Sequence, residues 1–239
     1  LINRLKHFLS INWFATLQIN FKAFAFKEAL LLPIIVYRGF KIMQFRGKIV
    51  LNTKPHFGLV GFGQSYEIFK RKNSCGEAII NGVIEINGKV QFGLDTKLYV
   101  KKDAVLKLGH INSFASRTEL ICFKSISIGN WVQFGNECLI TDTNFHELKD
   151  LVTNTKLPMN KEIIIGSYNF IGARSTIKGN TVTPNNCLVG TNSLLNKDYC
   201  SLGENIILGG IPAKFIKENI VRDWESEKKS LENYLTIKL

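Results

Sequence analysis

Three side chains in one short stretch, "TDTNFHEL", have the types that proton transfer needs: Asp142, Asn144 and His146. A free imidazole can accept a proton near pH 7 and return it, so His146 could take the proton from a hydroxyl or amine as that atom attacks an acyl carbon. Asp142 or a backbone carbonyl could fix the tautomer of the ring, and Asn144 could hold the attacking molecule. Residue types alone describe a surface-loop histidine equally well. The elements that carry the stretch have to decide.

Those elements are periodic. Ile165, Ile171, Ile177, Thr183, Val189 and Leu195 fall six residues apart, and Asn169, Ser175, Thr181, Cys187 and Ser193 follow four places after the first five. A helix repeats its inward face every 3.6 residues and a strand every 2, so a strict six requires a chain that turns a corner each time. Upstream, Ile80, Ile86, Phe92 and Leu98 share the spacing. Leu108, Phe114, Leu120 and Ile126 continue it in a shifted phase, and Ile128, Phe134 and Ile140 restore the first phase. A short corner insertion produces such a slip. The pattern predicts a β-solenoid with three flat sides, apolar residues pointing to the axis, small residues near the corners and coils stacked about 4.8 Å apart. Glycine after the apolar residue, as in Phe134-Gly135 and Ile171-Gly172, is expected to let the chain bend without a Cβ clash. From Ile140 to Ile165 the spacing is 25 residues, not a multiple of six, so the chain leaves the wall there. Asp142, Asn144 and His146 sit at the root of that excursion, where long loops on rigid scaffolds carry function.

Composition narrows the partners. The chain of 239 residues carries a net charge of +12, which suits an anionic partner: nucleic acid, a phosphorylated cofactor, a sugar nucleotide or anionic lipid. No recognised nucleic-acid reading module accompanies the charge, so nucleic acid is not expected. Five cysteines without a CxxC pair signal neither a disulfide framework nor a zinc knuckle, and a reducing cytoplasm is the simplest compartment. Cys138 and Cys187 occupy the small-residue slot and Cys122 an apolar one, which favours packing over a thiol nucleophile. Only His110 and His146 lie in the repeats, short of the three imidazoles of a catalytic zinc, so no metal is expected.

Residues 1–46 hold seven Lys or Arg against the single acid Glu28. Leu5, Leu9, Trp13, Leu17, Phe21 and Phe24 can share one helical face. "ALLLPIIVY" is too short to span a bilayer and contains Pro33. Lys6, His7, Asn12 and Gln18 interrupt what would otherwise read as a signal peptide, and no small-residue cleavage site follows. The apolar face either packs on the main domain or a neighbouring subunit, or rests on the inner membrane surface as a basic amphipathic face. At the other end, "KENIVRDWESEKKSLENYL" reads as a helix with Ile220, Trp224 and Leu231 toward one side.

Over residues 126–217, "TDTNFHEL", "IIIGSYNFIG", "VGTNSLLNKD" and "GGIPAKFIK" resemble, in order and spacing, the hexapeptide-repeat acyltransferases, and among them the sugar acetyltransferases of polysaccharide gene clusters. Thr183-Pro184, Asn144 and Thr191-Asn192 depart from the commoner Ile-Gly, Asp and Ala-Gly. The resemblance implies a mainly β protein, a left-handed parallel β-helix with an N-terminal helical and extended segment and a C-terminal helix. The expected divisions are 1–77 for the aromatic, basic segment, 78–210 for the β-helix with its loop at 142–162, and 211–239 for the tail. It also implies a cytoplasmic bacterial homotrimer that uses acetyl-CoA, with His146 as general base, Asp142 beside it and Asn144 at the acceptor. By the same resemblance, Gly172, Ala173, Gly190 and Thr191 would meet the pantetheine arm, and Lys197 and Lys214 the phosphate end, with Lys217 a weaker candidate. The implied activity is acetyl transfer to a sugar hydroxyl of a surface polysaccharide or its precursor. N-acetylation of an amino sugar nucleotide and a catalytically inactive solenoid scaffold are the alternatives.

Overall fold

The six-residue series forms the core of a three-faced parallel β-helix. The computed structural model describes residues 2–65, 67 and 74–235. Successive strands visit a first face, a second and a third and then return, building sheets of nine, seven and six strands. Coil length changes along the axis. Asn112 pairs with Val90, 22 residues back, Gln133 with Ser113, 20 back, and Leu188 with Phe170, 18 back. Only the last is three whole hexapeptides, which explains the slipped phase upstream. The β-helix begins at Ile34, not near residue 78: Ile34–Val36, Phe40–Phe45 and Lys48–Leu51 form its first coil and pair in parallel with later strands. Those coils are longer, so their period is hidden in the sequence.

Phe62, Phe92, Phe114 and Phe134 stack along the first face with ring centroids 4.9, 4.8 and 4.9 Å apart and planes within 7° of parallel. That is the strand spacing itself, so each ring rides on its own strand. Ile171 and Val189 continue the column where the coils shorten. The small residues predicted at the corners are buried and serve them. Asn169 accepts from the Cys187 amide at 2.6 Å, and the Ser193 hydroxyl donates to the Gly190 carbonyl at 2.7 Å.

The bends are not made by the glycines. Between residues 163 and 195 the left-handed residues are Tyr168, Arg174, Asn180, Asn186 and Asn192, six apart, with φ from 53° to 78°. Three are Asn, which tolerates that region better than most residues. Glycine answers a different demand: a Cβ on Gly135 would lie 2.6 Å from the Ala173 nitrogen, and one on Gly172 2.6 Å from the Thr191 nitrogen. Successive coils touch there through their backbones.

Helices α1 (Ile2–Ser10), α2 (Trp13–Ala23) and α3 (Phe26–Ala29) cover the N-terminal end. Of the two placements expected for the apolar face, packing on the main domain is not what α2 does: it buries Thr16, Ile19 and Asn20 and turns Phe14, Leu17 and Phe21 outward. The reason is the open edge of strand Ile34–Val36. Asn20 donates to the Ile34 carbonyl at 2.7 Å and accepts from the Ile34 amide at 3.0 Å. Thr16 accepts from the Val36 amide at 3.0 Å. A buried sheet edge needs hydrogen bonds that an apolar helix face cannot give. At the C-terminal end, Lys214–Glu218 runs antiparallel to Ile206–Gly209, so the tail opens as a strand. Helix α4 (Trp224–Leu235) then packs Trp224 and Leu235 on Ile111 and Trp131.

Asn20→Ala should therefore cost about 2–4 kcal/mol in urea unfolding, because it strands a buried donor and acceptor, whereas Phe14→Ala should change stability by less than about 0.5 kcal/mol. The opposite ranking would mean that α2 packs through its aromatic side.

Candidate active site

The excursion leaves the second face after Leu139–Thr141 and returns on the third at Ile163–Ile165. It is a hairpin. Its stem is closed by Asn144 N–H to the Met159 carbonyl at 3.0 Å and Lys161 N–H to the Asp142 carbonyl at 2.8 Å, and Leu148–Lys149 pairs antiparallel with Lys156–Leu157. Asp150 caps the tip by accepting from the amides of Val152 and Thr153. Phe145, at φ 61°, turns the stem outward, with its amide on the Thr143 hydroxyl at 3.0 Å. His146 follows it, exposed, and among the described residues no hydrogen bond engages its ring.

Asp142 does not orient that ring. Its side chain is 1% exposed, and its carboxylate accepts from the amides of Phe123 at 2.7 Å, Lys124 at 2.7 Å and Ser125 at 2.9 Å. Burial raises its pKa, and the three amide bonds pull the other way. The expectation that Asp142 is catalytic is thus corrected to an anchor: one carboxylate fixes the preceding coil's corner beneath the loop and is fully occupied there.

Asn144 is exposed. It lines a cavity of about 240 Å³ with Met159, Lys161, Lys178, Leu194 and Asn196. Lys178 also donates to the Thr143 carbonyl at 3.2 Å, bracing the stem from the next coil. The sequence reading passed over Lys161 and Lys178. The available signal was positional, since Lys178 follows the inward Ile177 one coil below Thr141.

The residues expected at the acyl donor lie elsewhere. Gly172, Ala173, Gly190 and Thr191 follow first-face strands, whereas the hairpin follows a second-face strand, so the two groups flank opposite edges of the second face. Gly172 is buried, and coil stacking accounts for it. At Gly190 an added Cβ would find nothing nearer than 3.6 Å, so packing does not demand glycine there. Lys197 is exposed, with its ammonium 5.5 Å from the Tyr199 ring centre; Lys214 and Lys217 are exposed on the last strand.

Cys122, Cys138 and Cys187 are buried. Desolvation pushes the Cys138 thiol up to about 11 and the Cys187 thiol to about 12, far from a thiolate at neutral pH. Among the described residues no three His, Cys, Asp or Glu side chains gather as metal ligands.

No family model matches the chain. Over 103 residues it is 28% identical to an Escherichia coli (strain K12) protein described as "Putative lipopolysaccharide biosynthesis O-acetyl transferase WbbJ", a match that covers 40% of this chain and 51% of that one. The chain thus spans about half the length of this curated relative. The polySia specific acetyltransferase NeuO superposes with a TM-score of 0.54 at 18% identity, over 82% of this chain and 97% of that one. The chain has the left-handed β-helix of the hexapeptide-repeat acyltransferases. The polysialic acid O-acetyltransferase OatWY superposes on this hexapeptide-repeat chain with a TM-score of 0.45 at 21% identity, over 77% of this chain and 90% of that one.

Asp142→Ala in the hexapeptide-repeat chain takes the acceptor from the three part-buried amides of Phe123, Lys124 and Ser125 and should cost about 3 kcal/mol in urea unfolding. Asp142→Asn, which keeps one acceptor oxygen, should cost less. A stability unchanged in Asp142→Ala would refute the anchoring role.

Proposed function

We propose that this chain is an acetyltransferase that moves an acetyl group from acetyl-CoA to a sugar hydroxyl of a surface polysaccharide or its precursor, with His146 as general base. One observation carries the reading: the repeating wall is broken by a tied hairpin whose stem presents an exposed imidazole that, among the described residues, makes no hydrogen bond. The description of the Escherichia coli relative, which names lipopolysaccharide biosynthesis and O-acetyl transfer, supplies the substrate class.

In this mechanism an unprotonated ring nitrogen of His146 takes the hydroxyl proton as the sugar oxygen attacks the thioester carbonyl. The tetrahedral centre collapses, the carbon–sulfur bond breaks, and the departing sulfur takes the proton back from the imidazolium. Acetylated sugar and free thiol result. Asn144, with Lys161 and Lys178 around its cavity, would hold the acceptor. Gly190, Ala173 and Thr191 would let the pantetheine arm approach a corner closely, and Lys197 and Lys214 would meet its phosphates. The buried thiols favour direct transfer over an acyl-cysteine.

The donor corner and His146 flank opposite edges of one face, so we place each reaction centre between two chains of a homotrimer, with the hairpin of one chain facing the Gly190 corner of the next. The reaction belongs in the cytoplasm, where acetyl-CoA is supplied.

His146→Ala should lower acetyl transfer by about two to four orders of magnitude with unchanged melting, because the exposed ring holds nothing in the fold. Cys138→Ala and Cys187→Ala should retain most of the activity. Full activity in His146→Ala would discard the proposed base, and transfer to amino-sugar nucleotides alone would move the acceptor from oxygen to nitrogen.

Sedimentation should give three times the 27.0 kDa chain mass. Trimers mixed from His146→Ala and Gly190→Trp chains should recover activity that neither variant has alone. Recovery is absent if each chain works by itself.

A further inference from the structure

We propose that the outward face of helices α1–α3 seats the protein on an anionic lipid bilayer. Helix α2 spends its polar side on the edge of the first coil and leaves Phe14, Leu17 and Phe21, at i, i+3 and i+7, toward solvent. Phe26 and Leu30 extend the surface, and the Phe21 and Phe26 rings meet at 5.8 Å between centroids. Exposure is 79% at Phe14, 68% at Phe26 and 57% at Leu30. Apolar side chains gathered this way on a folded surface mark an interaction site.

The charge around the patch selects its occupant. Lys6, Lys22 and Lys27 are exposed on the same three helices, and Glu28 is the only acid in residues 1–46. A second copy laid face to face would bring like charges together, whereas anionic headgroups would neutralise them as the aromatic side chains enter the acyl boundary. No helix of the described residues is long and apolar enough to cross a membrane. Helix α2 has 11 residues and spans only about 16 Å, so the contact lies in the plane of the surface. This deepens the reading of the acceptor as a surface-glycan precursor, but it rests on lipid partition and not on acetyl transfer.

The test is co-sedimentation of the full chain with vesicles of phosphatidylglycerol and phosphatidylethanolamine, compared with phosphatidylcholine alone. Binding is expected on the anionic vesicles, with release at about 0.5 M salt, where exposed charges are screened. Phe14→Glu/Phe21→Glu should weaken partition by about tenfold or more with unchanged melting, and Lys22→Glu/Lys27→Glu should weaken it on the anionic vesicles only. Absence of partition, or partition that Phe14→Glu/Phe21→Glu leaves unchanged, overturns the proposal. So does concentration-dependent self-association without lipid that the same double variant removes, which would assign the face to a second copy. His146→Ala should bind vesicles like the unaltered chain, so failure here and failure of the acetyltransferase reading are seen separately.

Discussion

Parallel main-chain hydrogen bonding between coils fixes their separation, and the rest of the molecule is arranged around that distance. Strands spaced near 4.8 Å leave room for flat rings stacked one per coil, which is how Phe62, Phe92, Phe114 and Phe134 fill the wider coils. At the corners the same distance brings backbone against backbone, and Gly135 and Gly172 are glycine because a Cβ would enter the next coil. Polar groups inside obey it too: Asn169 and Ser175 reach one coil down, to the Cys187 amide and the Gly190 carbonyl.

A wall held this way has little freedom, so an inserted hairpin inherits a fixed starting point. Asp142 supplies it from the preceding coil by gathering the amides of residues 123–125, and Lys178 supplies it from the next coil through the Thr143 carbonyl. The ring of His146 is therefore placed by the backbone that carries it, not by a side-chain partner. Among the described residues both ring nitrogens are left without a hydrogen bond.

The inward series and the exit of the chain after Ile140 were legible because each follows from one residue type at one spacing. Residues whose partner lies a coil away were not. Asp142 looks like a companion of His146 when read four places apart, yet its partners are 17 to 19 residues upstream. The first coils escaped notice because their corners are long and break the period that the later coils keep. Helix α2 was read by hydrophobicity, and the sheet edge beneath it selected hydrogen-bonding capacity instead, so Asn20 and Thr16 won the inner face over Leu17 and Phe21.

The two ends of the β-helix are closed by different means. Side chains of Asn20 and Thr16 saturate the buried N-terminal edge strand, whereas the opposite end finishes in Lys214–Glu218, a strand with all five residues exposed. In a stack where each coil depends on its neighbours, opening begins where the terminal coil is least held. Protection of amides against hydrogen exchange therefore grades along the axis: shallow in the last strand, deeper through the 18-residue coils, and deepest beneath the phenylalanine column. The hairpin that carries His146 hangs partway along that gradient, so the C-terminal strand can open and close without loosening the stem.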